Sequence, residues 1–166
     1  PLMTLAKNAL LTGEKSKFIN NGLIRFGVVE KFTWSCIEKF GVKSGTPTAE
    51  VQSLSGGNLQ KFIVGRELLH EPKVIIAAQP TWGLDVGAAI AIRSALLEKR
   101  GSGVAILLIS EDLDELFEIC DSITVISAGR LSPIRPVNET STEEIGYWMA
   151  GHLPQSGEIE PRPTHH

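Results

Sequence analysis

Leu54-Ser55-Gly56-Gly57-Asn58-Leu59-Gln60-Lys61 sets a hydroxyl and two glycines directly before an amphipathic helix. Glycines there let a ligand come close to the backbone. Their N–H groups and the helix dipole would then converge on one anion site, with Ser55 adding a donor. The simpler reading makes Ser55 a helix cap and the glycines a tight turn into the helix. Further on, Val74-Ile75-Ile76-Ala77-Ala78 reads as a strand covered on both faces. It runs into Gln79-Pro80-Thr81-Trp82 and Gly83-Leu84-Asp85. A second apolar strand, Val104–Ile109, ends in Ser110-Glu111-Asp112. Polar residues at the carboxyl ends of parallel strands are where α/β sheets hold ligands. Trp82 is read as a packing residue, with an interface contact as the other reading.

The elements around these residues fall into three stretches. Residues 1–53 read as mostly helical, around Leu5–Leu11, Phe18–Phe26 and Thr33–Phe40, with no clear strand. Residues 54–151 alternate helix and strand: a helix over Asn58–His70 with Leu59, Phe62, Ile63 and Leu69 at helical spacing, and one over Ala88–Arg100 that stops at Gly101. Next come a helix over Asp112–Cys120, strands over Ser122–Ser127 and Arg130–Leu131 joined at Ala128-Gly129, and a last helix opened by the capping box Ser141-x-x-Glu144 and closed at Gly151. The order predicts an α/β fold with parallel strands. Residues 152–166 read as a loose polar tail ending in His165-His166.

Composition narrows the function. The 166 residues are 42% hydrophobic and 21% charged with a net charge of −3, which excludes disorder as the main state. No apolar run approaches the roughly 18 residues of a membrane span. Residues 101–166 carry three Lys/Arg against eleven Asp/Glu. No basic stripe fit for nucleic acid is present. The cluster Glu111-Asp112-Leu113-Asp114-Glu115 reads as a solvated helix start whose charge suits the helix dipole. Cys36 and Cys120 fit no metal spacing and read as buried reduced thiols.

The motifs together resemble the ATP-binding cassette (ABC) ATPases. Leu54–Asn58 matches the family's LSGGQ signature in an LSGGN form. Val74–Gln79 sits where the Walker B strand belongs, Gly83-Leu84-Asp85 matches the D-loop, and Ser110-Glu111-Asp112 sits at the switch-histidine position. The wording of these motifs, and the ending Met149-Ala150-Gly151, are similar to the second nucleotide-binding domain of fused-cassette importers for simple sugars or nucleosides. The resemblance covers roughly residues 1–151. It implies a partial P-loop NTPase domain: a helical subdomain over 1–70, the C-terminal half of the α/β core over 71–151, with a mostly parallel sheet and flanking helices, and the tail over 152–166.

Three departures qualify the resemblance. None of the 16 glycines is followed by lysine, so the phosphate-binding loop G-x-x-x-x-G-K-[S/T] is absent. The resemblance then implies a fragment starting inside the helical subdomain, with an apolar sheet surface exposed and self-association as one way to cover it. Ala78 and Gln79 stand where the family has the magnesium-binding aspartate and the water-activating glutamate. Loss of a general base typically costs about 10²–10⁴ in rate. Glu111 stands in place of the switch histidine. No intact catalytic residue and no metal ligand is therefore expected in this chain.

The signature is retained. In ABC dimers each ATP lies between one domain's Walker A and the other's signature. The resemblance thus implies that Ser55, Gly56, Gly57, Asn58 and Gln60 bind ATP in trans, on the partner cassette. ATP and Mg²⁺ would belong to the full assembly, with neither expected on the isolated fragment. Implied partners are a second cassette, transmembrane permease subunits and, indirectly, an extracytoplasmic substrate-binding protein; no nucleic acid is implied. The implied location is the cytoplasmic side of the plasma (inner) membrane, peripherally attached. Two other readings stand beside it: a non-transport ABC-type ATPase of DNA repair or the ribosome, and an α/β interaction module with no nucleotide role.

Overall fold

A computed structural model describes residues 3–13, 15–43 and 46–154. The expected tail from residue 155 on, with His165 and His166, lies outside the described residues. The chain divides into two compact units, residues 1–109 and 110–166.

The first unit begins with helix α1 (Leu5–Thr12), capped by Thr4, whose side chain accepts from the Lys7 amide. A single turn, α2 (Lys15–Phe18), leads into a two-residue hairpin, β1 (Ile19–Asn20) and β2 (Leu23–Ile24), paired antiparallel. This corrects the helix expected over Phe18–Phe26 and the expectation of no strand before residue 54. Asn21 and Gly22, at φ 49° and 77°, form the turn. An Asn-Gly pair at positive φ matches the twist of a two-residue hairpin loop. Helix α3 (Phe26–Lys39) follows and packs on α1.

Helix α4 (Gly56–Leu69) crosses α3 closely. A Cβ on Gly65 would lie 2.3 Å from the Phe40 ring, so the crossing requires glycine there. Leu5, Ala9, Val29, Cys36, Ile37 and Phe62 fill the core between these helices. Arg66, itself buried, donates to the Asn8 backbone carbonyl at 3.1 Å and to the Asn8 side chain, and it also pairs with Glu67.

Strands β3 (Val74–Ala78) and β4 (Ala105–Ile109) pair in parallel register, Val74 opposite Ala105 through Ala78 opposite Ile109. Helix α5 (Val86–Gly101) makes the crossover between them. The sheet is covered on one face only. Ile75 is buried, whereas Val74, Ile76, Leu107 and Ile109, on the opposite face by the two-residue period, are 61%, 70%, 54% and 49% exposed. The apolar run suits coverage on both faces, but among the described residues of this unit no element covers the second. Helix α5 ends with Gly101 as its last residue: the cap is Ser102, and Gly103, at φ 86°, takes the left-handed position.

The second unit carries helix α6 (Leu113–Ile119), capped by Asp112. Glu111, Asp112 and Asp114 are exposed, in line with the solvated reading of the acidic cluster; Glu115 departs from it and is fully buried. The strand expected over Ser122–Ser127 is broken into β5 (Ser122–Ile123) and β6 (Ile126–Ser127). The expected turn at Ala128-Gly129 joins β6 to β7 (Arg130–Leu131), and β5 pairs with β8 (Arg135–Pro136). Between these pairs Ser132 accepts from the Val125 amide at 2.9 Å. Helix α7 (Thr142–Met149) is capped by Ser141, which accepts from the Glu144 amide, and Gly151 follows at φ 98°.

Candidate functional site

The signature segment forms the N-terminus of α4, and Ser55 is its cap. The Ser55 hydroxyl oxygen accepts from the Asn58 amide at 3.4 Å and from Asn58 Nδ2 at 3.0 Å. A serine oxygen has two acceptor positions and one proton to give. With both acceptor positions used, the hydroxyl proton is left to donate outward, so capping and anion binding are compatible roles. Asn58 is itself held, its Oδ1 accepting from the Lys43 amide at 2.9 Å. Its carboxamide thus bridges the Lys43 amide and the Ser55 hydroxyl.

Gly56 and Gly57 are the first two residues of the helix, and neither has a positive φ. They are not a turn that needs glycine. A Cβ on Gly56 would meet nothing within 4 Å, and one on Gly57 would make an ordinary 3.7 Å contact with Leu84. The fold therefore has room for alanine at both, in contrast to Gly65. Their amides precede the first intrahelical donor, Leu59, which donates to the Ser55 carbonyl at 2.9 Å. Two N–H groups without an intrahelical acceptor and a serine hydroxyl thus lie together at the helix start, an arrangement that can present donors to an anion.

The segment expected to carry the Walker B and D-loop positions lies beside this helix. At the end of β3, Gln79 adopts φ 48°, its amide donating to the Ile109 carbonyl at 2.8 Å. Trp82 N–H closes a turn onto the Gln79 carbonyl at 3.2 Å, with the buried Pro80 at its second position. A second turn, Leu84 N–H to the Thr81 carbonyl at 3.1 Å, carries Gly83 at φ 71°. Asp85 then caps α5, accepting from the Ala88 amide at 2.9 Å. That bond, with help from the Lys61 ammonium 3.6 Å away, holds the Asp85 carboxyl below its ordinary value. Trp82 is 80% exposed, so the packing reading fails and the side chain stands free on the turn.

Contacts from α4 reach this turn at three places. Gln60 Nε2 donates to the Gln79 carbonyl at 3.4 Å and the Pro80 carbonyl at 3.2 Å. Lys61 pairs with Asp85, and Gly57 faces Leu84. The structure thus brings Gly57, Gln60, Gln79 and the Gly83–Asp85 turn together. Glu111 belongs to the second unit, where it is exposed; the next amide, Asp112 N–H, donates to Ser110 Oγ at 3.1 Å.

A metal does not fit the strand end. Ala78 offers a methyl group and Gln79 a neutral amide. Among the described residues no cluster of three or more His, Cys, Asp or Glu side chains is gathered. Of the thiols, Cys36 is buried and donates to the Phe62 carbonyl at 3.5 Å, and burial pushes it up to about 12; Cys120 is only partly buried.

Solved structures decide the fold. The chain superposes on the ATP-binding cassette MJ0796, in a post-hydrolysis dimer bound to ADP and phosphate, with a TM-score of 0.69 at 22% identity, covering 82% of this chain and 58% of that one. The chain has the fold of part of an ATP-binding cassette. An ATP-binding subunit of an ABC transporter superposes with a TM-score of 0.70 at 20% identity over 89% of this chain and 62% of that one.

Curated relatives are import ATP-binding proteins. The guanosine import ATP-binding protein NupO of Bacillus subtilis is 38% identical over 148 residues, which are 89% of this chain and 29% of that protein. The nucleoside import ATP-binding protein NupA of Lactococcus lactis is 37% identical over 150 residues, and the galactose/methyl galactoside import ATP-binding protein MglA of Clostridium perfringens 35% over 152. The chain spans about 30% of the length of these relatives. No family model matches it. No described helix is long and apolar enough to cross a membrane.

Proposed function

We propose that this chain is the C-terminal part of the second nucleotide-binding domain in the ATP-binding subunit of a fused-cassette importer for simple sugars or nucleosides. Residues 1–70 would be its helical subdomain and 71–151 the rear half of its α/β core. Its signature acts in trans on ATP held by the partner cassette, while its own Walker B and switch positions, Ala78, Gln79 and Glu111, are degenerate. One observation carries this reading. Gly56 and Gly57 are glycines where the fold would accept alanine, and their amides point outward beside the spare Ser55 proton. A folding requirement does not explain them, whereas close approach of a phosphate does.

In that role Ser55, Gly56 and Gly57 hold a terminal phosphate by hydrogen bonds that need no rearrangement as negative charge develops. Asn58 orients Ser55, and Gly83, Leu84 and Asp85 form the adjoining D-loop edge. ATP supplies the phosphoryl group to be released as transport is energised. The open sheet face around Ile76 and Leu107 would pack against further parts of a longer protein; in isolation it favours self-association. The subunit would sit peripherally on the cytoplasmic side of the membrane, bound to permease subunits and served by an extracytoplasmic binding protein.

The test is Ser55→Glu in the assembled importer. A carboxylate at the cradle repels phosphate, so ATP turnover at the partner's site should be lost. Near-normal turnover would defeat the in-trans role.

A further inference from the structure

We propose that Gln60 is a positioning residue and not a nucleotide ligand: it fastens the signature helix to the turn after β3, so that the signature and the D-loop meet a partner as one edge. The proposal rests on the in-trans reading above.

The chemistry of the side chain argues against phosphate contact. Both polar directions of its amide nitrogen go to carbonyls, those of Gln79 and Pro80. What remains is the Oε1 oxygen, an acceptor, which has nothing to offer an anion. The same bonds meet a local need. Pro80 is fully buried, and a buried carbonyl requires a donor. Gln79 holds a left-handed conformation that its neighbours must enforce, and Gln60 grips its carbonyl alongside the Trp82 amide. Gly57, Gln60 and Lys61 are spaced i, i+3 and i+4, so one face of α4 lies along the whole turn from Gln79 to Asp85. Gln60 is the central of the three contacts and supplies its side-chain hydrogen bonds to the backbone.

Two variants test this. Gln60→Leu keeps bulk and removes the donor; Gln60→Lys keeps a donor of similar reach. In the 166-residue chain without nucleotide, amide hydrogen exchange is read at Trp82 and Leu84, the amides that close the two turns. The leucine variant should exchange at least about fivefold faster there, the cost of an unpaired buried carbonyl, while Phe62–Leu69 of α4 keep their protection. The lysine variant should stay near the parent. In the assembled importer Gln60→Leu should lower kcat by roughly ten- to a hundredfold with KM for ATP unchanged, because donors are displaced and the partner's own nucleotide grip is untouched. Unchanged exchange in Gln60→Leu, equal behaviour of the two variants, or normal kcat would overturn the proposal. Ser55→Glu measured alongside separates the causes: if it is inactive while Gln60→Leu turns over normally, the positioning role alone fails; if both turn over normally, the in-trans reading fails and takes this proposal with it.

Discussion

Replacing Gly56 or Gly57 by alanine should stabilise the chain while disabling the importer. The two glycines occupy the first two positions of α4 at ordinary φ. A methyl group meets nothing within 4 Å at the first and makes a 3.7 Å contact with Leu84 at the second. Glycine costs about 0.5–1 kcal/mol relative to alanine inside a helix, through the entropy of the unfolded chain. Helix ends count for less than interiors, so about 0.5 kcal/mol per site and about 1 kcal/mol for the pair is the expected gain. For a chain of this size each kcal/mol raises Tm by roughly 2–4 °C. Urea unfolding of both single variants and the double variant should show midpoints rising at constant m value. On the in-trans reading, the same methyl groups would stand between the amides and the phosphate in the assembled importer, and turnover should fall. A loss of 1 kcal/mol or more in either single variant would refute the reasoning. The fold itself would then need glycine there, and the residue type would carry no information about a ligand.

Gly65→Ala should behave in the opposite way, losing about 1–3 kcal/mol because its methyl group collides with the Phe40 ring, and Phe40→Leu should recover part of the loss in a double-mutant cycle. Alkylation at about pH 8 should label Cys120 in the native chain and Cys36 only after unfolding, as read by mass spectrometry, since burial holds the Cys36 thiol protonated. Asp85 has a lowered folded pKa, so its contribution to stability is complete above the ordinary carboxylate value and is lost as pH falls through the lowered one. Asp85→Asn, which keeps a capping side chain, should flatten that acid limb of a Tm-against-pH curve.

The sequence was most legible where local chemistry and long-range order coincide. Ser55 and Ser141 each cap the helix that follows, and the run Val74–Ala78 pairs in parallel with Ala105–Ile109. The Asn21-Gly22 hairpin was hidden because Phe18, Leu23 and Phe26 mimic a helical stripe and each strand has only two residues, too few for alternation to register. Apolar type alone could not reveal which face of β3 is covered, since a strand built for two covers reads the same when one is missing. Glu115 shows the converse limit: in an acidic run nothing local marks the one carboxylate that turns inward. Trp82 was misjudged by type as well, an indole being expected inside. The positive φ of Gln79 was not foreseeable, yet it is the geometry that aims a carbonyl at Gln60.

That geometry also shows that the turn after β3 does not depend on an acidic side chain at position 79. Gln79 enters the turn after β3 through its backbone groups: its amide donates to Ile109, and its carbonyl accepts from Trp82 and Gln60. None calls for a carboxylate. A change from acid to amide at this position removes a general base but leaves the support of α4 intact. Ala78 lies on the exposed face of the sheet and takes no part in that support. The two halves of the site therefore answer to separate constraints. On the proposed reading, the hydrolytic positions can vary while Gln60 and Lys61 stay bonded to the turn beside them. On the in-trans reading proposed above, a cassette of this design would forfeit its own hydrolysis and still present a well-formed signature to its partner.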